Sequence, residues 1–268
     1  KGMQRPPDGY FFDPVSSGLP PSGIFGARAC GAAFRVFLQN HPVCIDPMSS
    51  LAGGWVDRFD RYRRPSWNPE FPFPDLQTEL EQYDIVSGIG AGQHFTPDIR
   101  IGFRLGWGGI LENIRNSRQF WEGVEWDGHG AAPGWEKQAP YGFSGTNRSH
   151  MRCDVSEKWT PVSAAERMAF LDGLSDIVIG IQDLIRRHAE AADVMAQQEA
   201  RPELRESLLE MARINHRLAS EPPATFYEAC QFTAWQIVIF DMYNGAGAAL
   251  GSMDVFLKNY YDNDRHAG

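Results

Sequence analysis

The stretch EPPATFYEACQFTAWQIVIFDMYNGAGAALGSMDVFLKNYYDNDRHAG, residues 221–268, decides how the whole chain is read. Its "EPP" (221–223) stops whatever helix precedes it, because proline lacks the amide a helix needs. Thr225 and Glu228 then stand at the spacing of a helix start, ahead of the long apolar run "FTAWQIVIFDMY" (232–243). That run is too short to span a bilayer and is interrupted by Asp241, which makes it a buried helix. "NGAGAALG" (244–251) is small and flexible, and "SMDVFLKNYYDND" (252–264) is periodic again. The pattern is helix, glycine-rich loop, helix.

Working outward, residues 163–220 are helical in pattern. "PELRESLLEMARINHRLAS" (202–220) has Pro202 in its first turn. Before it lies a long helix opened by Ser163 and Glu166 in capping-box spacing. Its apolar positions Phe170, Leu174, Ile177, Ile181 and Leu184 predict one buried stripe. Residues 122–162 are irregular and rich in Trp, Gly and Pro, and are expected to be an insertion or a long loop. "IRIGFRLGWGGILENIRNSRQFW" (99–121) is periodic but carries four glycines, which a helix tolerates where another backbone comes close. "LQTELEQYD" (76–84) could hold a short helix, and 42–75 is loop-like with six prolines. "ARACGAAFRVFLQNH" (27–41) has helical spacing, and 1–26 is expected to wrap a surface without regular structure.

Bulk properties narrow the function. With 268 residues and a formal net charge of -9, the chain can bury a sizeable core but offers no basic field for nucleic acid. The one cationic cluster, "DRFDRYRR" (57–64), carries two Asp and reads as a solvated face. Neither a membrane span nor an apolar leader is visible, and four widely spaced cysteines fit reduced thiols in a cytoplasmic protein. His150, Cys153 and Asp154, with His129, lack the second ligand pair of a structural zinc. "GIGAG" (88–92) lacks the strand and helix that flank a dinucleotide fingerprint.

Taken together, "PP-x-T-F-x-E-A-x-Q" at 222–231, Asn244-Gly245, Gly251, Asp254 and "YYDND" at 260–264 resemble the pyruvate formate-lyase domain of the glycyl radical enzymes. "GQHFTPD" (92–98) is similar to that family's Gly-His-x-x-Pro-Asp stretch, and residues 28–54 look more weakly like its early helix and loop. The resemblance implies an α/β fold: a mainly helical outer layer plus part of an α/β barrel, residues 1–268 forming the N-terminal part of the domain. It implies a lyase or dehydratase that breaks a bond in a small organic substrate anaerobically, by thiyl-radical hydrogen abstraction. The glycyl radical would be installed by a radical S-adenosylmethionine activase, with no cofactor bound directly. Expected partners are the substrate, that activating enzyme, the rest of the enzyme in the same or a separate chain, and further copies in a homo-oligomer.

None of Cys30, Cys44, Cys153 and Cys230 sits in the family's cysteine-loop context, and no radical-glycine loop is visible, so both radical residues are expected outside this sequence. By resemblance, His94, Asp98 and Asn244 line the substrate pocket, His94 as a proton relay to a leaving group. The alternatives are a turn histidine before Pro97 and ordinary Asn-Gly turn chemistry. Gly247, Ala249 and Ser252 stand where the family often has hydroxyl and arginine side chains. Unpaired substrate hydroxyls would each cost about 1–3 kcal/mol, which counts against a polyol. The competing reading is a non-catalytic helical binding or scaffold protein that keeps the fold.

Overall fold

The structure, a computed structural model, describes residues 10, 12–13, 16–18, 24, 26–59, 98–124, 163–244 and 251–267. Among these residues there are six α-helices and no strand: α1 Ala27–Asn40, α2 Arg100–Trp121, α3 Ala164–Gln198, α4 Pro202–Leu218, α5 Phe226–Asn244 and α6 Met253–Ala267. The helical layer is thus present, while the expected barrel strands have no counterpart among the described residues. The proposed helix at 76–84 lies outside them, as does the expected insertion beyond Val124.

Local chemistry accounts for the helix ends. Ser163 accepts from the Glu166 amide while Glu166 accepts from the Ser163 amide, so the capping box starts α3. Pro202 occupies the first turn of α4, where its missing amide costs nothing. α1 stops at His41, whose extended backbone precedes Pro42. At the start of α5, Thr225 and Glu228 cap each other's turn as the sequence suggests, the Glu228 amide donating to the Thr225 hydroxyl at 3.2 Å.

α1 and α3 cross at glycines. A methyl group on Gly31 would lie 2.2 Å from the Gly173 carbonyl oxygen, and one on Gly173 would lie 2.3 Å from that of Ala27. Side chains are excluded here, so backbone meets backbone, with Arg35 and Asp176 paired at 2.9 Å beside the crossing. α2 makes a second close approach. It breaks at Gly106, whose φ of 62° brings the chain against the 220–222 turn, and the Gly108 amide donates to the Ser220 carbonyl at 2.7 Å. Two of the four glycines, Gly106 and Gly108, thus have the close backbone neighbours that the sequence required, whereas Gly102 meets the side chains of Phe232 and Gln236 and Gly109 that of Leu105 in its own helix.

The α3 stripe needs correction. Ile181 and Leu184 are buried, but Leu174 and Ile177 are only partly so and Phe170 is 52% exposed. The contact with α1 runs through Gly173 and Gly180, so small residues mark the inner face of this part of α3. Helical spacing alone registers large apolar residues and overlooks a seam made by their absence.

α5 is the central helix: no residue from Phe226 to Tyr243 is fully exposed. Phe232 and Trp235 are completely buried, each worth about 2–3 kcal/mol of burial. The Trp235 indole donates to Asn215 Oδ1 at 2.6 Å, and Asn215 donates onward to the Met211 carbonyl at 2.8 Å. No helix among the described residues is long and apolar enough to cross a membrane.

Candidate functional site

The candidate site is at the C-terminal end of α5, and three contacts assemble its surroundings. Gly102 of α2 abuts Phe232 and Gln236, which places the N-terminal turn of α2 against the middle of α5. Phe256 of α6 packs on Phe103 with ring centroids 5.4 Å apart. Tyr243, one residue before Asn244, is met by Phe34 at 5.2 Å and Phe59 at 6.2 Å between centroids, and its hydroxyl lies 3.3 Å from Cys30 Sγ.

Of the expected pocket residues, Asp98 stands just before α2, with its side chain 45% exposed. Its carboxylate takes two hydrogen bonds from the Arg100 guanidinium, at 2.8 and 2.9 Å, and one from the Arg100 amide at 3.2 Å. These bonds hold its pKa below the ordinary carboxylate range, so it is anionic at neutral pH. Asn244 is the last residue of α5. His94 lies outside the described residues, as do His129, His150, Cys153 and Asp154. Among the described residues, no three of the His, Cys, Asp and Glu side chains stand close enough to hold a metal ion.

Sequence reasoning missed a strap. Residues 50–59 lie along α5, held at successive turns of the helix. The Tyr227 hydroxyl donates to the Ser50 carbonyl. The Gln231 side chain brackets Ala52, accepting from its amide at 2.8 Å and donating to its carbonyl at 3.3 Å. Gly53, at φ 91°, presses on the Trp235 ring, and Phe59 reaches Tyr243. The spacing of Tyr227, Gln231 and Trp235, four residues apart on one helix face, was visible in the sequence. What it would hold was not.

Behind the strap are two buried imidazoles. His41 accepts the Asp57 amide on Nε2 at 3.0 Å, so its proton is on Nδ1, donated to the Pro42 carbonyl at 2.9 Å. His188 bonds the Leu184 carbonyl through Nδ1 at 2.9 Å and lies edge-on to Trp235. Burial drives both pKa values down to about 4, so both rings are neutral at pH 7. Glu228, 2% exposed, is a buried anion at the start of α5. Burial alone would raise its pKa, but two bonds from Arg217 at 3.0 Å and the amides of Ala224 and Thr225 outweigh this and lower it.

Comparison with known proteins identifies the family. The Pyruvate formate lyase-like family model matches residues 90–268. Over 114 residues, 40% of the chain, it is 33% identical to the isethionate sulfite-lyase of Desulfovibrio desulfuricans, matching 14% of that protein. Over 96 residues, 35% of the chain, it is 33% identical to the probable dehydratase YbiW of Escherichia coli, matching 12% of that protein. In three dimensions it resembles a glycyl radical enzyme from Archaeoglobus fulgidus, with a TM-score of 0.67 at 17% identity, over 95% of this chain and 34% of the other. The chain thus spans about a third of the solved neighbour and a smaller share of the curated relatives. With two thirds of its residues under one family model, it belongs to the pyruvate formate lyase-like family of glycyl radical enzymes.

Proposed function

We propose that this chain forms one wall of the substrate pocket in a glycyl radical lyase or dehydratase acting on a small organic molecule. The observation that supports the reading is that two of the pocket candidates lie on packed, neighbouring helices within the family-matched region. Asp98 precedes the turn of α2 that packs on the middle of α5, and Asn244 ends that helix. The radical chemistry, hydrogen abstraction by a thiyl radical generated from a backbone glycine radical, would come from residues outside this sequence, with an S-adenosylmethionine-dependent activase installing the radical.

This chain's own residues bind and handle protons. The Asp98 carboxylate, anionic and anchored by Arg100, can accept a hydrogen bond from a substrate hydroxyl or ammonium group. Asn244 offers an amide as donor and acceptor, and His94 can give a proton to the departing group. Gly247 and Ala249 add no hydrogen-bonding side chain, which favours a substrate with fewer hydroxyls than a polyol.

Anaerobic purification from the source, with native mass spectrometry, tests the reading. The chain is expected within, or bound to, a polypeptide that supplies the cysteine and glycine. After activation, electron paramagnetic resonance should show a glycyl radical that decays in oxygen. A stable particle made only of these 268 residues, silent after activation, would instead establish the scaffold reading.

A further inference from the structure

We propose that His41 is a positioning residue for the pocket wall: by closing the 42–57 loop, its imidazole holds the end of the strap so that Phe59 stacks on Tyr243, the neighbour of Asn244. The inference rests on the proposed role of Asn244; the contacts that carry it belong to the fold itself.

Both ring nitrogens of His41 are engaged, in opposite senses. Nδ1 donates to Pro42, the first residue of the loop, and Nε2 accepts from the amide of Asp57, near its end. The histidine therefore ties the loop shut across sixteen residues. Its own backbone is fixed from α3, because Arg187 donates to the carbonyl of His41 at 2.9 Å and also to that of Leu38. The ring is wedged between aromatic partners, Trp55 at 5.1 Å and Phe37 at 5.8 Å. Two residues past Asp57, the buried Phe59 packs on Phe34 at 5.3 Å, Phe37 at 5.5 Å and Tyr243 at 6.2 Å. A short path thus leads from one imidazole to the last turn of α5.

The tie depends on an unprotonated Nε2. A protonated ring has two donors and no acceptor, so Nε2–H would face the Asp57 N–H. The charged groups facing the ring are Asp57 from its own loop, which favours protonation, and Arg187 and His188 from α3, which oppose it. Burial outweighs them all and keeps the ring neutral down to about pH 4. Acid should therefore break the bond between His41 and the Asp57 amide while Gln231 still holds the middle of the strap.

The test is fluorine NMR on the full polypeptide with fluorotyrosine at position 243, alongside helix content by circular dichroism and amide exchange at Asp57. As pH falls from neutral toward about 4, the Tyr243 resonance should move in step with the His41 ring while helix content holds. His41→Phe should bring the resonance to its acid position at neutral pH and speed exchange of the Asp57 amide roughly tenfold. Gln231→Leu, which frees only the middle of the strap, should shift the resonance less. A resonance that stays put until the helices melt, or that His41→Phe leaves at its wild-type position, overturns the proposal. The wild-type titration decides the matter even if the variant fails to fold. If the glycyl radical reading fails, that appears separately as a missing paramagnetic signal and leaves this coupling intact.

Discussion

Two seams hold this protein together, and they are built on opposite principles. Where α1 crosses α3, side chains are excluded: Gly31 and Gly173 let backbone touch backbone, with Arg35 paired to Asp176 beside the crossing and Arg187 bonding the carbonyls at the end of α1. Between the strap and α5, side chains do everything: Tyr227, Gln231 and Trp235 satisfy or cover the backbone of residues 50–53, and His41 ties the far end. The first seam is steric and indifferent to pH. The second is polar and titratable, and it leads to the candidate site. A scaffold can be made rigid by excluding side chains, while an irregular segment needs polar side chains to replace the hydrogen bonds of a helix or sheet.

Acid should separate the seams most strongly. His41 and His188 have folded pKa values of about 4 against an unfolded value of 6.5. Below pH 6.5 the unfolded chain binds protons that the native state refuses, so this stability is complete above 6.5 and is lost as pH falls toward 4. Two such groups give a slope of at most about 2.7 kcal/mol per pH unit. Denaturant unfolding across this range measures it, and hydrogen exchange should show the 42–57 amides opening before those of α1. Uniform opening of both seams would break the comparison.

Gly173→Ala should cost about 3 kcal/mol, because its new methyl group meets the Ala27 carbonyl and neither backbone can yield. A midpoint in urea close to wild type would show that the crossing is looser than its geometry implies. Glu228→Gln should cost about 2 kcal/mol, since it removes the buried carboxylate of the α4–α5 turn and leaves Arg217 only the exposed Glu221 as an anionic partner. Trp235→Phe keeps most of the ring volume but strands Asn215 Oδ1, a loss of about 1 kcal/mol that thermal unfolding would detect.

Asp98→Asn comes last in stability and first in function. Its pair with Arg100 is exposed and screened by solvent, so the melting temperature should hardly move. Turnover by the assembled enzyme should nevertheless fall sharply if the carboxylate faces substrate. Unchanged turnover would return Asp98 to the role of a helix-start residue.

These contrasts also mark how far the sequence could be read. Capping residues announced the helices, because Ser163 with Glu166, Pro202, and Thr225 with Glu228 act on neighbours within one turn. The glycines of α2 signalled a close approach without naming the partner, Ser220 to Pro222. Phe170 misled, because apolar spacing marks a helix face but not whether another element covers it. The strap was invisible, since Gln231 and Ala52 are 179 positions apart and nothing local links an amide side chain to the peptide it will bracket.

By itself, then, the sequence determined what short-range chemistry can settle: where helices start and stop, which runs are buried, and a set of residues at family-like spacing. Only the tertiary structure decided which faces meet. It paired Gly31 with Gly173, laid residues 50–59 along α5, and buried His41 deeply enough to stay neutral. The physical reason is range. A cap or a proline acts through its neighbours in the chain, whereas exclusion, burial and long-range hydrogen bonds exist only once distant segments have been brought together.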